Sequence, residues 1–132
     1  MSQISSTATN VVILGAGHAG AQVAASLRQD GFEGAITLVS DEPDVPYHKP
    51  PLSKAFLKTH DAELQLLRAE DFYPQQNIPR LHAHVMKIDV AGRNLVFKDG
   101  AVLGYDRLVL ATGARPRLST LPGADLAGVM PL

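Results

Sequence analysis

The first apolar run, Val11 to Leu14, contains only Val, Ile and Leu, the composition of a short buried strand. It leads directly into Gly15-Ala16-Gly17-His18-Ala19-Gly20. From Ala19 to Gln29 the residues are good helix formers, and Val23, Ala24 and Leu27 lay an apolar stripe at helical spacing. Gly31 suits a helix C-terminal stop. Ala35 to Val39 predicts a second strand, closed by Ser40-Asp41-Glu42. Together these make a strand–helix–strand unit of about 30 residues, the size of a βαβ crossover. The polar, Ser/Thr-rich stretch before it, residues 1–10, predicts a mobile tail.

Beyond the second strand the pattern breaks. Pro43 to Leu52 holds four of the nine prolines and predicts a stiff loop. Ser53 is placed to cap a short helix through Lys58, and a second helix is expected over Ala69 to Gln76, with Pro79 beyond it. The period then changes. Arg80 to Ala83, His84 to Val90, Asn94 to Lys98 and Ala101 to Gly104 predict short strands, with Gly92 and Asp99-Gly100 as turns: a small antiparallel meander. Arg107 to Ala111 returns to a continuous apolar run, as in a buried parallel strand, and ends at Thr112-Gly113. The fold class is α/β: a Rossmann-like parallel sheet with an added β-meander.

The chain has 132 residues, one domain's worth, and 45% hydrophobic content is enough for a core. Twelve basic residues against thirteen acidic ones give no basic face for nucleic acid or an anionic membrane. The absence of cysteine removes disulfides, thiolate metal sites and a dithiol redox pair from this segment. No secretory signal layout opens the chain and no apolar run approaches the ~20 residues of a membrane span, so a cytoplasmic location is expected.

A pyrophosphate is a dianion, and the open start of a helix offers it free N–H groups and a favourable dipole. In the turn here, Gly15 allows the tight bend, Gly17 admits the phosphates to the backbone, and Gly20 lets helix and strand pack. Alone the motif is weak; between a strand and a helix it is in its working context. Asp41 lies 21 residues beyond Gly20, where a carboxylate can accept both hydroxyl protons of an adenosine ribose. Glu42 is the neighbouring candidate, and a solvated strand-end acid is the alternative for Asp41. His18 faces the positive helix end, which disfavours imidazolium, and reads as a neutral packing or surface residue.

The βαβ unit fits NAD or FAD. Two features favour FAD. A simple dehydrogenase domain would continue with alternating strands and helices rather than a meander. The strand Leu108–Gly113 ends in small residues, over which a flat ligand can lie.

Two motifs then carry a resemblance: Tyr47-His48-Lys49-Pro50-Pro51-Leu52-Ser53-Lys54, and Ala-Thr-Gly-Ala-Arg-Pro-Arg at 111–117. The chain resembles the FAD-dependent, NADH-using ferredoxin or rubredoxin reductases of bacterial oxygenase systems, and shares its pattern with apoptosis-inducing-factor-like flavoproteins. The likeness runs from about Val11 to Leu132. It implies that Gly15, Ala16, Gly17, Ala19 and Gly20 surround the FAD pyrophosphate and that Asp41, with Glu42, holds the ribose. It implies contacts from Lys49 and Pro51, and from Val85 at the adenine end. Ala111, Thr112 and Gly113 would line the cofactor, with Arg115 on the flavin or its phosphates. Lys54 would set its ammonium beside the flavin ring. NADH would be the parent enzyme's substrate, and a 2Fe–2S ferredoxin or a rubredoxin its partner. Where the family usually has Arg before the Pro-Pro pair this chain has Lys49, which keeps the charge and loses the bidentate fork.

Lys54 is also notable on physical grounds. If Ser53 caps a helix, a cation in the first turn opposes the dipole, and a residue that breaks a local rule is a functional hint. A fixed ammonium there would stabilise charge arriving with a hydride. Lacking cysteine, the segment favours transfer from flavin straight to an iron–sulfur partner. His82 and His84 alternate on a presumed strand and would point the same way; with no third ligand they read as surface residues, and no metal site is expected. No Ser sits in a G-x-S-x-G turn.

By this resemblance the parent is about three times as long. Residues 11–118 would be the N-terminal part of its FAD domain, incomplete in this chain, and 119–132 the start of a linker to an NADH domain. A fragment of that kind should expose apolar surface, self-associate or be only marginally stable alone, hold FAD weakly or not at all, and lack activity alone. Two other classes remain open: a nucleotide-binding module without redox chemistry, and an NAD-dependent dehydrogenase domain.

Overall fold

The computed structural model describes residues 9–49, 66–114 and 120–130. Strand β1 (Val11–Leu14) leads into helix α1 (His18–Gln29) and strand β2 (Ile36–Ser40). After the proline-rich loop come a one-turn helix α2 (Phe72–Gln75) and strand β3 (Arg80–His82). Then follow β4 (Val85–Asp89), β5 (Asn94–Phe97), β6 (Val102–Gly104) and β7 (Arg107–Leu110).

Four strands form a parallel sheet in the order β3-β2-β1-β7. Three form an antiparallel sheet in the order β4-β5-β6, with an irregularity between Val85 and Lys87. The uninterrupted apolar run of β1 follows from its place. Val11 and Ile13 face α1 and pack with Ala24, Ile36, Leu38, Tyr73 and Ile78. Val12 faces the other way and packs with Val39, Leu95 and Phe97, so the antiparallel sheet covers the second face. Each such side chain, fully buried, contributes roughly 1.5–3 kcal/mol.

Three expectations need correction. Arg80 to Ala83 does not open the meander; β3 is the edge of the parallel sheet, with Leu38 opposite Arg80 and Ser40 opposite His82. No glycine or other turn residue separates Ala83 from His84, so a hairpin there had no local support, whereas Ala83 N–H donates to Ser40 O and extends the parallel pairing. The helix expected over Ala69 to Gln76 shrinks to one turn. Pro74 is tolerated only in a first turn, and Asn77 at φ 54 ends the helix. Strand β7 is parallel, as expected, but only half-buried: it is the outer strand of the described sheet, and Leu110 is 61% exposed. The helix expected from Ser53 lies outside the described residues.

Arg28 fastens the α1 side. Its guanidinium donates to the carbonyls of Phe32, Gly34, Gln76 and Asn77, a cation between the C-terminal ends of α1 and α2.

Candidate functional site

The carboxyl ends of β1, β2 and β7 open onto a cleft, with the chain leaving β1 and β2 on the helix side and reaching β7 through the antiparallel sheet. That is the switch point where open α/β sheets place ligands. The cleft has two lobes, of about 350 and 420 Å³, that share Gly15, Ser40, Asp41, Thr112 and Gly113.

The turn after β1 forms the floor. Gly15 has φ +111, and its N–H donates to Val39 O at 2.8 Å. A Cβ on Gly15 would lie 2.0 Å from Ala111 O, and one on Gly20 would lie 1.8 Å from Gly15 O. These two glycines are demanded by backbone contact. Gly17 is not: its φ is −81, and nothing lies within 4 Å of a Cβ placed there. The space above it is the first lobe. Gly17 is also the N-cap of α1, offers no side-chain cap, and is followed by no acidic residue in the first turn. The first amides of a helix have no carbonyl of their own to bind, so this end is open to an anion.

Gly15, Ala16, Gly17, Ala19, Asp41, Glu42, Lys49, Ala111, Thr112 and Gly113 all line the first lobe. Val85 lines the second, with Asp41 and Gly113. Gly20 is buried beneath the turn rather than in the cleft. Pro51, Lys54 and Arg115 lie outside the described residues.

Asp41 follows the last residue of β2 and reaches both lobes; Nε2 of His82 is 3.1 Å from its carbonyl oxygen. Glu42 is differently placed. The Tyr47 hydroxyl donates to its Oε2 at 2.6 Å and the Lys49 ammonium to its Oε1 at 2.8 Å. Lys49, then Tyr47, hold the Glu42 carboxyl below its usual range. Burial, then the Glu42 carboxylate, push the Tyr47 hydroxyl up to about 12. Glu42 is thus an anchor for the proline-rich loop, and Asp41 lines both lobes of the cleft.

His82 and His84 do not share a strand. His82 ends β3, while His84 follows the break between the sheets and lines the second lobe. No group of three or more metal-ligating side chains occurs among the described residues.

The sequence did not disclose the contact between His18 and His48, with Nε2 and Nδ1 3.0 Å apart, nor Tyr47 as a cleft residue. Both histidines stand in the quoted motifs, but their separation of 30 residues carries no sign of contact.

Comparison with known proteins agrees with this geometry. A family model described as pyridine nucleotide-disulphide oxidoreductase matches residues 9–130. The chain belongs to this family. It is 46% identical over 122 residues to rhodocoxin reductase of Rhodococcus erythropolis, covering 91% of this chain and 29% of that protein. It is 50% identical over 110 residues to putidaredoxin reductase of Pseudomonas putida, covering 82% and 26%. Among solved structures, the ferredoxin reductase for the CYP199A2 system of Rhodopseudomonas palustris superposes with a TM-score of 0.83 at 46% identity, over 92% of this chain and 30% of that one. The reductase of the covalent putidaredoxin reductase–putidaredoxin complex gives 0.77 at 48%, over 89% and 28%. The chain spans about 30% of the length of these relatives. Despite the family's name, its 132 residues hold no cysteine. No helix among the described residues is long and apolar enough to cross a membrane.

Proposed function

We propose that this chain is the FAD-binding segment of a cytoplasmic flavoprotein reductase that passes electrons from NADH through FAD to a 2Fe–2S ferredoxin or a rubredoxin. The observation that carries the reading is Gly17: a glycine that backbone contacts do not require, over an uncapped helix start, facing a cleft at the sheet's switch point. The sequence likeness to rhodocoxin and putidaredoxin reductases supports the choice of cofactor and acceptor class.

The residues present fit FAD. The backbone of Gly15 to Ala19 would hold the pyrophosphate, Asp41 the ribose hydroxyls, and Val85 the adenine side. Ala111, Thr112 and Gly113 would give a flat wall without bulk. Bound FAD would supply acceptance of a hydride from NADH and release of single electrons. The protein's part is positioning and electrostatics. Lys54, by its place after the double proline, would hold a positive charge beside the ring, and Arg115 would contact the flavin or its phosphates.

Side-by-side titration of FAD and NADH into the chain tests the cofactor: FAD should bind more tightly than NADH. Preferential NADH binding would move the reading to a nicotinamide dehydrogenase domain. Lys54→Ala in the complete reductase should slow flavin reduction by NADH at least tenfold while FAD stays bound. An unchanged rate would remove Lys54 from the chemistry.

A further inference from the structure

His18 and His48 stand where the glycine-rich turn meets the proline-rich loop. Nε2 of His18 is 3.0 Å from Nδ1 of His48, and the rings meet edge to face with centroids 4.9 Å apart. A contact that short between two imidazole nitrogens needs one N–H and one lone pair. It is made by two neutral rings, or by one imidazolium donating to one neutral ring. Two imidazoliums would set two N–H groups against each other and open it.

His18 is the first residue of α1 and lines the first lobe beside Gly17 and Ala19. A dianion bound above the helix start would favour a cation there. His48 is carried by a loop that is anchored independently: Tyr47 and Lys49 hold Glu42, and Leu67 N–H donates to Pro46 O. The titratable and charged groups that share the lobe are Asp41, Glu42, Asp44, Tyr47 and Lys49 from the loop after β2. The first turn of α1 adds no acid, and residues 111–114 after β7 add no charge. Carboxylates, phenol and ammonium keep their charge between about pH 5 and 8, whereas imidazoles change theirs in that range.

We propose that the His18–His48 pair takes up one proton when a dinucleotide pyrophosphate binds, so that the proton is a co-ligand of the site. This rests on the dinucleotide reading of the cleft. The proton comes from solvent and one ring becomes imidazolium. Because the second ring must stay neutral to accept, uptake stops at one. The liganded state binds more protons than the free state, so affinity rises as pH falls, by at most about tenfold per pH unit.

Calorimetric titration of the chain with FAD and with ADP-ribose, at pH values from about 6 to 8 in buffers of different ionisation heat, measures the uptake directly. The phosphates of both probes are fully esterified or bridged and have no proton to exchange in this range. The expected result is uptake approaching but not exceeding one proton per ligand, with affinity rising toward low pH, and no uptake in His18→Leu. His18→Gln keeps a hydrogen-bonding side chain without a titrating ring and should also show none, which separates the effect from a folding defect. A pH-independent affinity, or uptake that persists in both variants, would overturn the proposal while leaving the dinucleotide site intact. Failure of both probes to bind at any pH would overturn the dinucleotide reading, and this proposal with it.

Discussion

A methyl group at residue 15 would sit 2.0 Å from the Ala111 carbonyl oxygen and one at residue 20 would sit 1.8 Å from the Gly15 oxygen, yet one at residue 17 would touch nothing. Three glycines of one motif therefore answer to different demands, and substitution separates them. Gly15→Ala or Gly20→Ala should cost several kcal/mol, on the order of 3, because backbone must move, and at residue 15 the positive φ adds strain. Gly17→Ala should cost no more than about 1 kcal/mol, the N-cap preference for Gly over Ala, since φ −81 suits any residue and the space is open. Chemical denaturation of the three variants checks this. The Glu42 anchor gives a pH signature. Because the Glu42 carboxyl is lowered in the folded chain, its contribution is present above the ordinary carboxylate range and is lost as pH falls through the lowered value. The raised Tyr47 hydroxyl works in the opposite sense: its contribution is present below about pH 10 and is lost as pH rises toward about 12. Both effects are modest, since the Lys49–Glu42 pair is partly solvated. Melting temperature against pH should show an acid-side loss that Glu42→Gln reduces and an alkaline loss that Tyr47→Phe reduces, the buried Tyr73 hydroxyl, also raised, keeping the rest.

Among the elements, the end of α1 offers the sharpest test. Arg28 donates to four carbonyls, and charge-assisted bonds of this kind contribute about 1.5–3 kcal/mol where fully formed. Arg28→Ala should lower stability by about 2 kcal/mol, and Arg28→Lys should recover only part, because a point charge cannot serve four acceptors in a fork. A Lys variant as stable as the parent in urea denaturation would contradict this role. The first βαβ unit was legible because local signals agreed: a pure β-branched and Leu run, a glycine turn, an Ala-rich helix and Gly31. The assignment of Arg80 to His82 was not legible, because all three residues of β3 are exposed and an edge strand leaves no apolar alternation to count. The shortening of α2 was legible in principle from Pro74, which cannot sit in the interior of a helix begun at residue 69. In the site, the glycines, Asp41 and the strand-end residues could be placed by local motif. The Tyr47–Glu42 and His18–His48 contacts are tertiary, and sequence spacing does not encode them.

For the molecule as a whole, both faces of the parallel sheet are covered at its central strands β1 and β2, but apolar surface remains at the periphery. Met86, Val90, Val102 and Leu110 are each more than half exposed. Surface of this kind drives association. Sedimentation velocity should show the chain forming dimers or larger species as its concentration rises, with the trend reduced in Leu110→Lys. A monomer at every concentration would contradict the expectation. The cleft depends on the same architecture, since β1, β2 and β7 must end together for one ligand to reach the turn, Asp41 and Thr112-Gly113 at once. The most direct test is equilibrium titration of FAD against the parent chain and Gly17→Val. The unsubstituted chain should bind FAD, and the variant should stay folded, losing no more than about 1 kcal/mol of stability, while its affinity falls at least tenfold. Equal binding by the two would contradict a pyrophosphate resting on this turn.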